Sequence, residues 1–310
     1  MRRIILCLLA VSLAVGCAPQ EEKSGKLQIT ATLFPQYDFC RQIAGERAEV
    51  TLLLPPGMES HNYEPSVSDI LSITKSDLFV YTGPYMEAWA QTVIEGLDDS
   101  VRVVDVSQDI ALCEHEDHEE HAHAHEEQEE MDPHIWTDPL RAVMMAENIL
   151  TALCEEDPKN SGYYTGRAEA YIAQLHALDE EFSAVAAQLK SRVLCHGGRF
   201  SMTYFARRYD LTFIAAFDSC SSQAEPSAAR VIEMIQQVRE QKLPAVFYEE
   251  LTQPRIAQVI SEETGAELLL LHTCHNVSKK ELEEGVTYLS LMQGNLENLK
   301  KYVRMQQNDC

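Results

Sequence analysis

The sequence predicts an α/β protein: two β/α lobes with parallel sheets, joined by a long connecting helix. Three observations predict it. Strand-like runs alternate with helical patterns from Leu27 to Val106, the alternation returns from Arg192 to Met305, and a helical stretch lies between that is free of Gly and Pro from Arg167 to Leu189. The length of 310 residues agrees with two domains at about 150 residues each.

In chain order, Leu27–Phe34 reads as a strand, followed by a helical pattern through Ile43. A second strand, Glu49–Leu54, stops at Pro55-Pro56-Gly57. Ser66–Lys75 reads as a helix, Leu78–Thr82 as a strand, Met86–Leu97 as a helix and Val101–Val106 as a strand. The linking stretch runs from Tyr163 to Leu189. Its apolar residues Ala168, Tyr171, Ile172, Leu175, Leu178, Phe182, Val185 and Leu189 recur at steps of three and four, which keeps them on one stripe. The uninterrupted part would measure ~35 Å at 1.5 Å per residue, a rod that resists wide hinge motion. The second half repeats the alternation, with strands at Arg192–Cys195, Leu211–Phe217, Ala245–Tyr248 and Glu267–Leu271. Its helices are Phe200–Tyr209, Ala228–Gln241, Arg255–Thr264 and Gly285–Met305. The lobes therefore cover 27–145 and 191–310, with the connecting helical region over 146–190.

The first residues carry an address. Arg2 and Arg3 precede an apolar run from Ile4 to Val15, then Gly16-Cys17. A basic start, a short apolar core and small residues describe a secretory signal over 1–16, too short to stay across a bilayer. Leu13-Ala14-Val15-Gly16-Cys17 resembles a lipoprotein signal, which implies a lipid on Cys17 and a polar tether over 17–26, outside the cytoplasm. Cysteine use fits: without Cys7 and Cys17 seven remain, an odd number that leaves an unpaired thiol. No CxxC pair exists, against a thiolate zinc knuckle. Cys220 and Cys274, each after a predicted strand, are the expected pair.

Charge narrows the partners. With 25 Lys+Arg against 49 Asp+Glu, the net charge is −24, which speaks against nucleic acid and for a cationic ligand. Five His and nine Asp or Glu fall within residues 114–130. Nothing there is larger and apolar enough to bury, so the tract reads as a loop for weak, multi-site metal capture. Other histidines stand where β/α folds put ligands: His61 after the second strand, His134 after the tract, His196 after Arg192–Cys195, and His272 and His275 after Glu267–Leu271. His176 lies beside the helical stripe and reads as an ordinary helix residue.

Local motifs then resemble a known family. Pro55-Pro56-Gly57-Met58-Glu59-Ser60-His61-Asn62-Tyr63-Glu64-Pro65 resembles the first ligand loop of the metal-binding solute-binding proteins of bacterial ABC transporters, the zinc and manganese branch. Asp132-Pro133-His134-Ile135-Trp136-Thr137-Asp138-Pro139 resembles their second ligand motif, and Phe34-Pro35-Gln36-Tyr37-Asp38-Phe39 with Gln42-Ile43-Ala44-Gly45 their opening strand and helix. The resemblance covers roughly 27 to 305 and implies a metal site in the cleft between the lobes.

On this resemblance His61 and His134 are metal ligands. The family's third ligand is a His ten residues before a Tyr, and here that place holds Arg199, so His196 at the strand end is the candidate, with Arg199 as a structural cation the alternative. The fourth, an Asp in the family, falls on His272, with His275 in reserve and Glu249 and Glu250 close enough to enter or support the shell. An imidazole-rich set suits Zn2+, whereas manganese prefers oxygen. The resemblance thus implies a monomeric, lipid-anchored receptor, not an enzyme, that delivers Zn2+ to a membrane permease for uptake. A manganese receptor, a metal-dependent surface adhesin and a secreted zinc hydrolase with Glu249 or Glu250 as base are the competing readings. Against the hydrolase, the chain lacks HExxH and GxSxG.

Overall fold

A computed structural model describes residues 25–114, 131–217 and 226–308. The expected signal over 1–16, the lipid on Cys17, most of the acidic histidine tract and Cys220 lie outside the described residues.

The first lobe runs β1 (Leu27–Ala31), α1 (Phe34–Ala44), β2 (Ala48–Leu52), α2 (Val67–Ile73), β3 (Leu78–Tyr81), α3 (Ala88–Ile94) and β4 (Arg102–Asp105). Its strands pair in parallel in the order β2-β1-β3-β4. A short antiparallel pair, β5 (Cys113–Glu114) and β6 (Met131–Asp132), flanks the tract. Two helices follow, α4 (Pro139–Glu156) and α5 (Ser161–Ala186). The second lobe runs β7 (Val193–His196), α6 (Thr203–Arg208), β8 (Thr212–Ala215), α7 (Ala228–Glu240), β9 (Ala245–Tyr248), α8 (Arg255–Thr264) and β10 (Glu267–Leu270). It closes with α9 (Lys279–Glu283) and α10 (Tyr288–Asn308). Its sheet order is β10-β9-β7-β8, again parallel. Counted from each lobe's own first strand, the two orders are the same. In both, the chain leaves the first strand to one side and returns on the other, which opens a crevice beyond the strand ends.

The alternation and the two sheets match expectation: β9 coincides with its expected span, β7 is shifted by one residue, β2 starts one residue early and ends two early, and the other strands are shorter by one to three residues. The linking rod is α5, 26 residues long. Tyr171, Leu175, Leu178, Phe182 and Val185 of the stripe are buried, in one continuous core shared by α4, α5 and both sheets. α4 starts at Pro139, seven residues ahead of the expected connecting helical region over 146–190, where Asp138 caps it by accepting from Leu140 N at 2.9 Å and Pro139 opens it. Asp179 of α5 accepts from Arg208 at 2.8 and 2.6 Å and from the Tyr209 hydroxyl at 3.0 Å, fastening the second lobe to the rod. Cys274 of the expected Cys220–Cys274 pair is a free, fully buried thiol that faces the His272 carbonyl, and Cys220 lies outside the described residues. Cys40, Cys113, Cys154 and Cys195 are also free.

The crevice of the first lobe is plugged by a carboxyl. Glu87 is buried beyond the ends of β1 and β3, where it accepts from the Thr32 hydroxyl, from Thr82 N at 3.1 Å and from the Thr82 hydroxyl at 3.2 Å. Burial outweighs these bonds and pushes its pKa up to about 7. A carboxyl that holds its proton more tightly when folded stabilises the fold most below its unfolded pKa, and that contribution is lost as pH rises through 7. Unfolding measurements from pH 4.5 to pH 7.5 are expected to show stability falling by up to about 3 kcal/mol from this group. Glu87→Gln should flatten that slope, and an unchanged slope would reject the assignment.

Candidate metal centre

The centre is built from loops at the strand ends. After β2, Pro55–Pro65 turns at Gly57 (φ 80°) and places His61 over the cleft. The rest of that motif is scaffolding. Tyr63 donates to Asp69 at 2.9 Å, and Ser66 and Asp69 cap α2 reciprocally. After β6, Pro133 and His134 lead into a short turn. The two imidazoles meet: His61 Nε2 and His134 Nε2 are 3.1 Å apart. Two nitrogens bound to one tetrahedral zinc at ~2.0–2.1 Å would stand about 3.3 Å apart. Metal would replace the proton the pair now shares.

Each tautomer is set from behind. His134 Nδ1 stands 2.7 Å from Asp132 Oδ1, with both residues buried. Burial pushes the Asp132 carboxyl up, but the imidazole beside it and hydrogen bonds from His134 pull it well below the usual carboxylate range. An ionised Asp132 accepts the Nδ1 proton and leaves Nε2 as the basic nitrogen facing the cleft.

His275 receives similar support. The Thr273 hydroxyl donates to Glu250 Oε1 at 2.6 Å, so its lone pair is left to accept from His275 Nδ1. Glu250 Oε1 also lies 3.4 Å from that nitrogen. Burial pushes the His275 pKa down against the pull of Glu250 and Glu59, which keeps the ring neutral and able to ligate. Among the described residues, His61, His134 and His275 line one cavity with Glu59, Glu249, Glu250 and Arg199, with about 570 Å³ of empty space that opens to solvent. Three carboxylates against one guanidinium favour a cation there. No three His, Cys, Asp or Glu side chains among the described residues already stand as a complete metal shell. The His61–His134 pair is the preformed contact in that cavity, with His275 lining it beside them.

His275 comes from the second lobe's chain but is held by the first. Its carbonyl accepts from Phe34 N at 3.3 Å, Gly57 N donates to Val277 O at 2.8 Å, and Asn276 Nδ2 donates to Pro55 O and Met58 O, both at 2.9 Å. Buried Trp136 ties the His134 turn to the same loop, donating to Thr273 O at 2.8 Å.

The other two expected ligands lie elsewhere. His272 does not line the cavity. Its N donates to Asn295 at 2.6 Å, its Nδ1 accepts from Cys274 N at 2.9 Å, and its buried Nε2 has no partner among the described residues. The chain turns at Cys274 (φ 65°), and this turn brings His275 rather than His272 to the cleft. His196 is fully buried beside the Phe200 and Phe213 rings, 6.0 and 6.5 Å between centroids, and neither ring nitrogen has a hydrogen-bond partner among the described residues. Gly197 and Gly198 do not turn it into the cleft. They make room, since a Cβ on Gly197 would meet Ala257 at 2.5 Å and one on Gly198 the Glu249 carboxylate at 1.5 Å. Arg199, not His196, is the residue this strand end sends to the cavity.

Comparison with known proteins agrees with this architecture. Residues 29–302 match the ZnuA family, zinc-uptake complex component A, periplasmic. The chain is 33% identical over 304 residues to a zinc-binding lipoprotein, AdcA, of Streptococcus pneumoniae, covering 96% of this chain and 60% of that protein. It therefore spans less than two thirds of that relative. It is 33% identical over 292 residues to the high-affinity zinc uptake system protein ZnuA of Bacillus subtilis, covering 90% of this chain and 88% of that one. The crystal structure of the Zn(II)-bound ZnuA-like domain of S. pneumoniae AdcA superposes with a TM-score of 0.76 at 31% identity, over 90% of this chain and 99% of that domain. With its paired lobes, its long linking helix and a match across nearly its whole length, this chain belongs to the ZnuA family.

Proposed function

We propose that this chain is an extracytoplasmic zinc receptor that captures one Zn2+ in the cleft and delivers it to the permease of an ABC transporter. The observation that carries this reading is the His61–His134 pair, held at tetrahedral spacing with its basic nitrogens pointing into a shared cavity. The ligand set is His61, His134 and His275, with Glu59 the oxygen donor beside them. Glu59 Oε1 already lies 3.4 Å from His61 N, on the cleft side of the same loop. His196 and His272 are left out of the set because both lie away from the cavity.

Three imidazoles favour zinc over manganese. The family is one of zinc-uptake components, which sets the receptor reading ahead of the hydrolase. A lipid anchor on Cys17 and a monomeric state complete the proposal. No helix among the described residues is long and apolar enough to cross a membrane, and the signal-like start supplies the attachment instead. Equilibrium dialysis of the purified chain is expected to find one tightly held Zn2+ in the cleft. Asp132→Asn, which removes the anion behind His134, should weaken it by roughly 10- to 100-fold. A chain that takes up no Zn2+, or an Asp132→Asn variant with unchanged affinity, would refute the proposal.

A further inference from the structure

Glu59 and Arg199 meet across the cleft from opposite lobes. Arg199 Nη1 donates to Glu59 Oε2 at 3.2 Å, while Glu59 Oε1 lies on the His61 side. Both side chains are about one third exposed, 32% and 34%, so the pair sits at the mouth of the cavity. Arg199 is the one cationic side chain among the described residues lining that cavity. Its own place is set: Arg199 N donates to Glu249 Oε1 at 3.4 Å, and the Glu249 carboxylate packs against Gly198 where no side chain would fit.

A guanidinium stays charged at any physiological pH and has no lone pair to give a metal. In this position it has two effects on an arriving cation. It competes for the Glu59 carboxylate, and it adds a positive charge beside the ion. Ions differ in how much they lose from this. Zn2+ is well served by imidazoles, whereas Mn2+ depends on oxygen donors.

We infer that Arg199 is a specificity-determining residue of the cleft: by engaging Glu59 it leaves the nitrogen donors to decide which ion is retained, and so disfavours Mn2+ relative to Zn2+. The inference rests on the zinc-receptor reading above. Arg199 acts through Glu59 as a positioning residue and does not touch the metal.

The test measures Zn2+ and Mn2+ affinities by chelator competition for the wild type, Arg199→Gln, Arg199→Lys, Glu59→Gln and the Glu59→Gln/Arg199→Gln double variant. Arg199→Gln is expected to tighten Mn2+ binding more than Zn2+ binding and to narrow the preference by on the order of tenfold. Arg199→Lys, which keeps the charge, should retain the wild-type preference. With Glu59→Gln present, Arg199→Gln should change the preference no further, as a double-mutant cycle requires of coupled residues. Co2+ loaded into Arg199→Gln should give weaker visible absorption than in the wild type, as carboxylate oxygen raises the coordination number. Intact Zn2+ binding with an unchanged preference in Arg199→Gln, or the same narrowing without Glu59, overturns the role of Arg199 alone. A wild-type chain that binds no Zn2+ overturns the receptor reading and this inference with it.

Discussion

Replacing His134 by alanine is expected to cost more zinc affinity than any other single change in the cleft. Its Nε2 is one half of the preformed pair, and its Nδ1 is fixed by the buried carboxylate of Asp132. The turn that carries His134 is packed around buried Ile135 and Trp136, which fixes its backbone. Loss of a supporting partner alone costs roughly 10- to 100-fold, so loss of the ligand should exceed about 100-fold. The variant also leaves Asp132 buried and without its imidazole partner, so some fold stability should go as well. Competition against a zinc chelator reads the affinity, and thermal unfolding without metal reads the stability. His61→Ala, at a more exposed position, should show the affinity loss with little loss of stability. An affinity within about threefold of wild type in His134→Ala would place the metal elsewhere.

Trp136→Ala is expected to give the largest loss of fold stability. The side chain is fully buried, its ring packs edge-on to His134 with 5.3 Å between centroids, and its N–H holds the Thr273 carbonyl. Removing a buried Trp costs about 3–5 kcal/mol in a core that closes incompletely. The Thr273 carbonyl then loses its partner, at a further cost of about 1–3 kcal/mol if water cannot reach it. Tyr288, whose hydroxyl donates to the Trp136 carbonyl, should hold the backbone of the turn. Trp136→Phe keeps much of the buried surface and drops the hydrogen bond, so it separates the two contributions. Urea unfolding of the metal-free variants checks both, with zinc affinity expected to fall alongside because Trp136 joins the His134 turn to the His275 loop. A Trp136→Ala midpoint equal to wild type would contradict the packing described.

Much of this is legible in the sequence itself. The period of the stripe from Ala168 to Val185 is that of a helix with one buried face, and Tyr171, Leu175 and Phe182 are buried in α5 as that period requires. Apolar runs such as Leu78–Tyr81 form fully buried parallel strands. His61 and His134 were legible because each lies within a short motif whose neighbours do local work: Gly57 turns the chain, and Asp132, two residues away, holds the ring. The start of α4 carries an Asp-Pro signal of its own, Asp138-Pro139, inside the second motif.

The third histidine was not legible, and the reason is physical. His272 and His275 are three residues apart in one loop, with the same chemistry and similar neighbours. What separates them is hydrogen bonding to distant parts of the chain: Asn295 of α10 holds His272 N, and Phe34 N holds the His275 carbonyl. Likewise the Gly197-Gly198 pair reads locally as freedom to turn, whereas the packing of Ala257 and Glu249 makes it a requirement for space.

The sequence by itself therefore determined the fold class, the repeated β/α order, the linking helix and the two motif histidines, because each follows from periodicity or contacts a few residues long. Only the tertiary structure decided which later side chains reach the cleft. His275 replaces His272 there and Arg199 replaces His196, because loops at strand ends are aimed by bonds to residues up to hundreds of positions away, such as Asn276 to Pro55, and no local pattern records those.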